Sequence, residues 1–339
     1  MNDRVTWLLP VRNGMPYLPE TLASIEAQTY HNWEILAWDD GSTDGTLEEL
    51  KKWIPSRLPG KIFTGESLGV GGALALLVEM CGTDLCARID ADDVNLPERL
   101  ETQINYLKGN PEIAILGSAM YQINSQGVRS KYLYQPPVEH DDIVHSMLTM
   151  NPIAHPSVLF KRSVILEVGN YKSLLSVEDY DMWMRVAATH HYKLANLACP
   201  LIEYRIHPAS ENQATFRRDP KLEIVKRCFY RTAESLFGCS MSEAEQLRNQ
   251  QHPCAIKAFY KIALFLQKNQ GGSVIHRLCS QSFIQACKGL ISPRDYTSHL
   301  IVFCIEWRPS VLLQKILSTP KLIQKIIRKL GSSKTIYVQ

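Results

Sequence analysis

Apolar residues over the first hundred positions follow two alternating patterns. Val5 to Pro10 and Trp33 to Trp38 are compact runs of strand length, and Lys61 to Thr64 and Leu85 to Ile89 read as two further strands. Between them, Tyr17 to Gln28 repeats Leu18, Leu22, Ile25 and Ala27 at helical spacing, and Thr46 to Trp53 and Gly69 to Met80 read as helices as well. Continuous apolar runs suit strands buried on both faces, whereas spacings of three and four gather apolar groups on one side of a helix. The alternation predicts an α/β fold with a mostly parallel, Rossmann-like central sheet and helices on both faces. Ser42 and Asp44 stand where they can cap the second helix.

Further along, Pro97 to Lys108 reads as a helix, and Ile113 to Ile123 and Gln126 to Tyr134 as strands joined at Asn124-Ser125. From about Pro220 the pattern is helical, and polar residues and a proline interrupt it between 212 and 220. The expected organisation is a domain over 1–212, divided into halves of about 1–110 and 111–212, followed by a helical region over 213–339. Within that region Leu322, Ile323, Ile326, Ile327 and Leu330 fall on one helical face, and Lys321, Lys325, Arg328 and Lys329 populate the remainder. A basic amphipathic tail over about 309–331 suits either an anionic membrane surface or packing against protein.

Composition narrows the class. A chain of 339 residues with 45% hydrophobic content builds a core, and a net charge of +3 gives no bulk reason to expect nucleic-acid binding. The nine cysteines form no CxxC pair, so they are expected to be reduced thiols in a cytosol-facing compartment. The first apolar stretch is broken by Arg12 and Asn13, and no run approaches the roughly 18–20 apolar residues of a bilayer span. A cytoplasmic protein is expected, with peripheral contact to the inner face of the membrane through the tail.

Open α/β sheets bind ligands beyond the carboxyl ends of their strands. Asp39-Asp40 and Asp90-Ala91-Asp92-Asp93 lie at such ends. Three carboxylates within four residues repel one another unless a cation or strong donors compensate. Oxygen ligands without a neighbouring Cys or His suit Mg²⁺ or Mn²⁺, which complete their shells with phosphate oxygens and water. The same residues also fit a helix N-terminus, with Asp92 or Asp93 capping the helix that Pro97 opens; spacing leaves both readings open. Arg88, two positions before Asp90, shares its face on a strand and is placed either to neutralise the cluster or to touch phosphate.

With their neighbours these residues resemble family 2 glycosyltransferases, which adopt the GT-A fold. Val5 to Gly14 is similar to the family's opening strand and loop. Ser24 to Tyr30 with Trp33-Glu34-Ile35, Asp39 to Thr46, and Ala87 to Asp93 with Leu96 to Leu100 are similar to its next segments, the last containing the DxD motif. His155 to Phe160, Gly169-Asn170-Tyr171, Glu178 to Trp183 and Tyr204 to Ser210 resemble its acceptor side and closing segment. The resemblance implies inverting transfer of a sugar from a nucleoside-diphosphate donor, a UDP-sugar, to a glycan or lipid-linked glycan in surface-polysaccharide assembly, with Mn²⁺ or Mg²⁺ as cofactor.

It also implies roles. Asp40 would accept a hydrogen bond from the base, with Pro10, Val11 and Arg12 framing the same pocket. Asp90 would hold the ribose, Asp92 the metal, and Asp93 would be a second or water-mediated ligand. Asp179 would be the base that takes the acceptor proton, and Glu178 would bind an acceptor hydroxyl or support Asp179. Arg205 and His207 would reach the diphosphate from a loop, and His155 would line the acceptor side. One departure stands out: Ser67 to Ala75 lacks the basic residue that relatives often carry after the third strand.

Two other classes compete. A nucleotidyltransferase of sugar phosphates would carry a glycine- and lysine-rich loop that residues 10–20 lack, and a GT-A domain that only binds a glycan or partner would not need Asp92 and Asp179.

Overall fold

The computed structural model describes residues 4–147 and 151–208, together with 210, 228–230, 232, 234–236 and 240. The expected boundary at 212–220, the helical region as a whole and its basic tail lie outside the described residues.

The first half alternates as its sequence predicts. Strands β1 (Val5–Val11), β2 (Trp33–Asp39), β3 (Gly60–Thr64) and β4 (Leu85–Arg88) are separated by helices α1 (Leu18–Glu26), α2 (Thr46–Trp53) and α3 (Gly69–Met80). The four strands run parallel in the order β3-β2-β1-β4. Every residue of β1 is buried because it has partners on both edges and helices on both faces. Alternation then sorts its side chains. Leu8 joins a core with Ala73, Leu74 and Leu77 of α3, whereas Trp7 and Leu9 join one with Leu18 and Leu22 of α1 and Leu50 of α2. Each such side chain, fully buried, contributes about 1.5–3 kcal/mol.

The second half folds back on the same sheet. A two-residue strand β5 (Val94–Asn95) precedes α4 (Arg99–Gly109), β6 (Ile113–Ile123) and β7 (Arg129–Tyr134). Then follow α5 (His140–Ser146), β8 (Leu159–Lys161), α6 (Arg162–Glu167), α7 (Glu178–Ala187) and β9 (Lys193–Arg205). Among the described residues nine strands form one sheet, continued beyond β4 as β8-β6-β9-β5, with β7 paired to β6. β8 runs antiparallel to both β4 and β6, so the parallel half and the mixed half meet at β4, the strand that leads to Asp90.

Several boundaries differ from the sequence reading for local reasons. The strand expected from Gln126 starts at Arg129, because Asn124 Oδ1 accepts the N–H groups of Gln126 and Val128 and Gly127 adopts φ +76°. Asp44 does serve the start of α2, accepting from Thr46 N–H and O–H, but Ser42 instead accepts from the N–H of Asn13. Among the described residues no helix is long and apolar enough to cross a membrane, and Cys81, Cys86, Cys199 and Cys228 are free thiols.

Candidate active site

Two connected chambers open at the carboxyl ends of the parallel strands. The larger, about 820 Å³, is lined by Pro10, Val11 and Arg12 after β1, Asp40 after β2, the start of α3, and His207. The smaller, about 400 Å³, is lined by Arg88, Asn151, His155, Asp179 and the rings of Tyr134 and Tyr204. Asp90, Asp92, Ser176 and Glu178 line both, so the carboxylates form the threshold between them.

The acidic cluster is not a helix cap. The N-cap of α4 is Glu98, with no side-chain bond, and each aspartate has another partner. Arg88 donates to both oxygens of Asp90, 2.6 Å to Oδ2 and more closely to Oδ1. Asp92 Oδ2 lies 2.8 Å from His207 Nε2. Asp93, fully buried, accepts the N–H of Arg205 on Oδ1 at 2.8 Å, while its Oδ2 is buried without a partner. Carboxylate oxygens of the three residues lie within 4.8 Å of one another. Burial pushes Asp90 up to about 6 against the pull of Arg88, and burial with the charges of Asp92 and Asp90 pushes Asp93 well above the usual range. A group of anions that resists ionising in this way is short of positive charge.

Arg88 is buried and paired with Asp90, so it offsets part of the cluster's charge, and it also lines the smaller chamber. Arg205 also differs from its expected loop position. It is the last residue of β9, buried, and its guanidinium donates to the carbonyls of Asp92 and Asn124 and to Glu20. It therefore holds up the acidic loop from behind and lines neither chamber. His207, two residues on, does face the larger chamber, with its ring 4.9 Å from that of Tyr17.

Across the threshold, Glu178 and Asp179 open α7. Asp179 Oδ1 accepts the N–H of Tyr180 at 2.6 Å, and its Oδ2 accepts Asn151 Nδ2–H at 2.7 Å. Burial raises the Asp179 carboxyl, with these two bonds opposing. Glu178 is 8% exposed and is raised to about 8, by burial first and by the charge of Asp179 second. His155 stands 3.7 Å from it through Nδ1, bonds Tyr171 O–H through Nε2 at 3.1 Å, and is held neutral by burial and by Arg88. Asp181 faces away, paired with Arg185 at 2.7 Å. Nothing in the sequence pattern ties Asn151 to a carboxylate 28 positions later.

The carboxylate of Asp40, on the wall of the larger chamber, is also well bonded within the protein. It accepts hydrogen bonds from Trp38, Ser67, Leu68 and Gly69, and these hold it below its ordinary range although burial acts in the opposite direction. The departure at Ser67 to Ala75 thus has a structural counterpart: this segment meets Asp40 with backbone N–H groups. Gly71 seals the other side, since a Cβ there would sit 2.3 Å from the carbonyl oxygen of Lys172.

Comparison with known proteins agrees with this geometry. Residues 6–168 match the model of the family described as glycosyl transferase family 2. The chain is 33% identical over 189 residues to the amylovoran biosynthesis glycosyltransferase AmsE of Erwinia amylovora, covering 56% of this chain and 70% of that one. It is 32% identical over 214 residues to the O-antigen biosynthesis glycosyltransferase WbnJ of Escherichia coli, covering 62% and 83%. Among solved structures, S. aureus TarS in complex with UDP-GlcNAc superposes with a TM-score of 0.53 at 16% identity, over 79% of this chain and 92% of that one. The last likeness is one of fold, the GT-A arrangement.

Proposed function

The chain belongs to glycosyltransferase family 2, and from that premise we propose that it moves a sugar from a UDP-sugar to a glycan hydroxyl with inversion. The catalytic unit of this reading is residues 1–212, and the acceptor is a surface-polysaccharide intermediate, free or lipid-linked. The observation that carries it is the threshold: Asp90, Asp92 and Glu178 line both chambers, and Asp179 lines the smaller alone.

The larger chamber takes the donor, with the nucleoside against Pro10, Val11 and Arg12 and the ribose near Asp90. Three clustered carboxylates, one with a buried orphan oxygen, fit a hard divalent cation. Asp92 would hold Mn²⁺ or Mg²⁺ from the chamber wall, and Asp93 Oδ2 is the second candidate ligand. The chemistry supplied by a bound ion is neutralisation of the charge growing on the departing diphosphate. His207, bonded to Asp92 on the wall of the larger chamber, would meet the diphosphate.

The smaller chamber takes the acceptor. Asp179 accepts the proton of the attacking hydroxyl as the new bond to the anomeric carbon forms. Attack from this chamber comes opposite to the diphosphate in the other, and configuration inverts. Asn151 and the N–H of Tyr180 hold the carboxylate at the attack position, and His155 packs beside Glu178 on the acceptor side. Arg205 supports the acidic loop without touching either substrate.

Burial, and after it the charge of Asp179, push the Glu178 carboxyl up to about 8. As pH rises through about 8 it ionises and sets a second negative charge beside Asp179 and the anionic donor. The rate, kcat/KM, is expected to fall over that range, and Glu178→Gln, neutral at every pH, is expected to abolish the alkaline fall. A fall that persists in the Gln variant assigns it to another group.

The broader test is a panel of UDP-, GDP- and ADP-sugars with Mn²⁺ or Mg²⁺, read as nucleotide release with lipid-linked and with lipid-free acceptor extracts. Metal-dependent, acceptor-stimulated release from a UDP-sugar is expected. Release of pyrophosphate from sugar phosphate and nucleoside triphosphate would instead favour a nucleotidyltransferase, and no turnover with any donor a binding protein.

A further inference from the structure

The smaller chamber carries a second cluster of ligand-type side chains, and its chemistry differs from that of the first. Nδ1 or Nε2 of His155 and carboxylate oxygens of Glu178 and Asp179 lie within 4.8 Å of one another. All three residues line the chamber. Asp90, Asp92 and Asp93 offer oxygen alone, whereas this cluster adds an imidazole nitrogen.

The histidine is held in one orientation. His155 is 7% exposed, and its ring lies 5.6 Å from each of the Tyr171 and Trp183 rings. Nε2 is bonded to Tyr171 O–H at 3.1 Å. The other nitrogen, Nδ1, faces Glu178 Oε1 at 3.7 Å, too far for a hydrogen bond. Glu178 is nearly as deeply buried, and its carboxylate receives no hydrogen bond from another described residue. Buried polar groups left unbonded are costly. A cation between these two offsets that cost.

Asp179 completes the set. Its oxygens accept one bond each, from Tyr180 N–H and Asn151 Nδ2–H, so each keeps a second lone pair. These bonds, like that of Tyr171 to His155, are outer contacts of the kind that orient metal ligands. Neutral imidazole is the ligating form, and burial beside Arg88 keeps His155 neutral. One nitrogen and two carboxylates match the three-ligand sites of zinc, with a fourth position open to the chamber. Ligand atoms on a tetrahedral zinc ion stand about 3.4 Å apart, close to the 3.7 Å between His155 and Glu178. Mg²⁺ prefers oxygen ligands throughout.

We propose that His155, Glu178 and Asp179 form a second cation site, selective for Zn²⁺, and that Zn²⁺ bound there stops transfer. An ion on Asp179 takes the lone pair meant for the proton of the attacking hydroxyl, and it fills the space that hydroxyl would enter. The site stands on this geometry alone; its effect on transfer rests on the role proposed for Asp179.

Titration of the full, metal-free chain with Zn²⁺, in competition with a chromophoric chelator and without nucleotide, tests the site. Glu178→Gln, which keeps the shape of the side chain, and His155→Gln are each expected to weaken the tightest Zn²⁺ site at least about tenfold. Asp92→Ala is expected to keep it. A site lost in Asp92→Ala and kept in Glu178→Gln would place the ion at the other cluster and overturn the proposal. Wild-type Zn²⁺ binding in both Gln variants would overturn it as well. Melting curves report whether the variants fold, and Glu178→Gln decides if His155→Gln does not. In transfer assays with a UDP-sugar, acceptor extract and excess Mn²⁺, Zn²⁺ is expected to inhibit, and a zinc-selective chelator to restore the rate. Glu178→Gln is expected to need at least about tenfold more Zn²⁺ for the same inhibition. Transfer at the full rate with the site filled would overturn the inhibitory role. A chain that transfers from no donor would refute the reaction itself, and the titration would still decide the site.

Discussion

Replacing Asp179 by Asn is expected to lower the single-turnover rate of transfer by about 10²–10⁴-fold while leaving donor affinity within about twofold of wild type. The substitution keeps the shape of the side chain and one oxygen for the N–H of Tyr180, so the start of α7 is retained. What it removes is basicity. Asp179 is half-buried, and the loss of water around it raises its carboxyl and makes it a better proton acceptor. It must be ionised to act, so in the wild type the rate falls on the acid side as the group takes up its proton. Donor affinity is preserved because Asp179 lines only the smaller chamber. A wild-type transfer rate in this variant would remove Asp179 from the mechanism, and lost donor binding would place it in the other half of the site.

The complementary change, Asp92→Ala, is expected to remove the dependence of donor binding on added Mn²⁺ or Mg²⁺. Loss of outer partners of a metal ligand typically costs 10–100-fold in metal affinity, so loss of the ligand is expected to cost at least about 100-fold. His207 loses its partner in the same step, and the unbonded Asp93 oxygen is left beside Asp90 alone, both of whose oxygens are paired with Arg88. Titrations of UDP with and without chelator measure this directly. If the metal still strengthens UDP binding to the variant as in the wild type, the ion is held elsewhere.

Much of this site is legible in the chain because strand ends are legible. The runs Val5 to Pro10 and Leu85 to Ile89 are mainly apolar since their strands are buried on both faces, and the polar residues that follow them have to face a ligand or each other. That puts Asp40, Asp90 and Asp92 at strand ends, where they line the larger chamber. What periodicity does not carry is which partner a polar residue finds. Arg205 reads as a loop cation because it sits two residues before His207, yet it ends a 13-residue strand and its guanidinium is enclosed by backbone carbonyls and Glu20. The donors that Asp40 meets come from Trp38 and from Ser67 to Gly69, the latter across a helix and a strand. β5 and β8 are too short to show a period, although β8 is the strand that joins the two halves of the sheet. Long-range hydrogen bonds decide these positions.

The central claim is that two chambers, one holding the donor through Asp92 and one activating the acceptor through Asp179, meet at a shared acidic threshold. Donor binding and transfer, measured separately on Asp92→Ala and Asp179→Asn with the same UDP-sugar, test it most directly. The expected result is a crossed pattern: Asp92→Ala loses metal-dependent binding, and Asp179→Asn binds donor normally but does not transfer. Equal loss of binding in both variants, or transfer by Asp179→Asn at the wild-type rate, would contradict it.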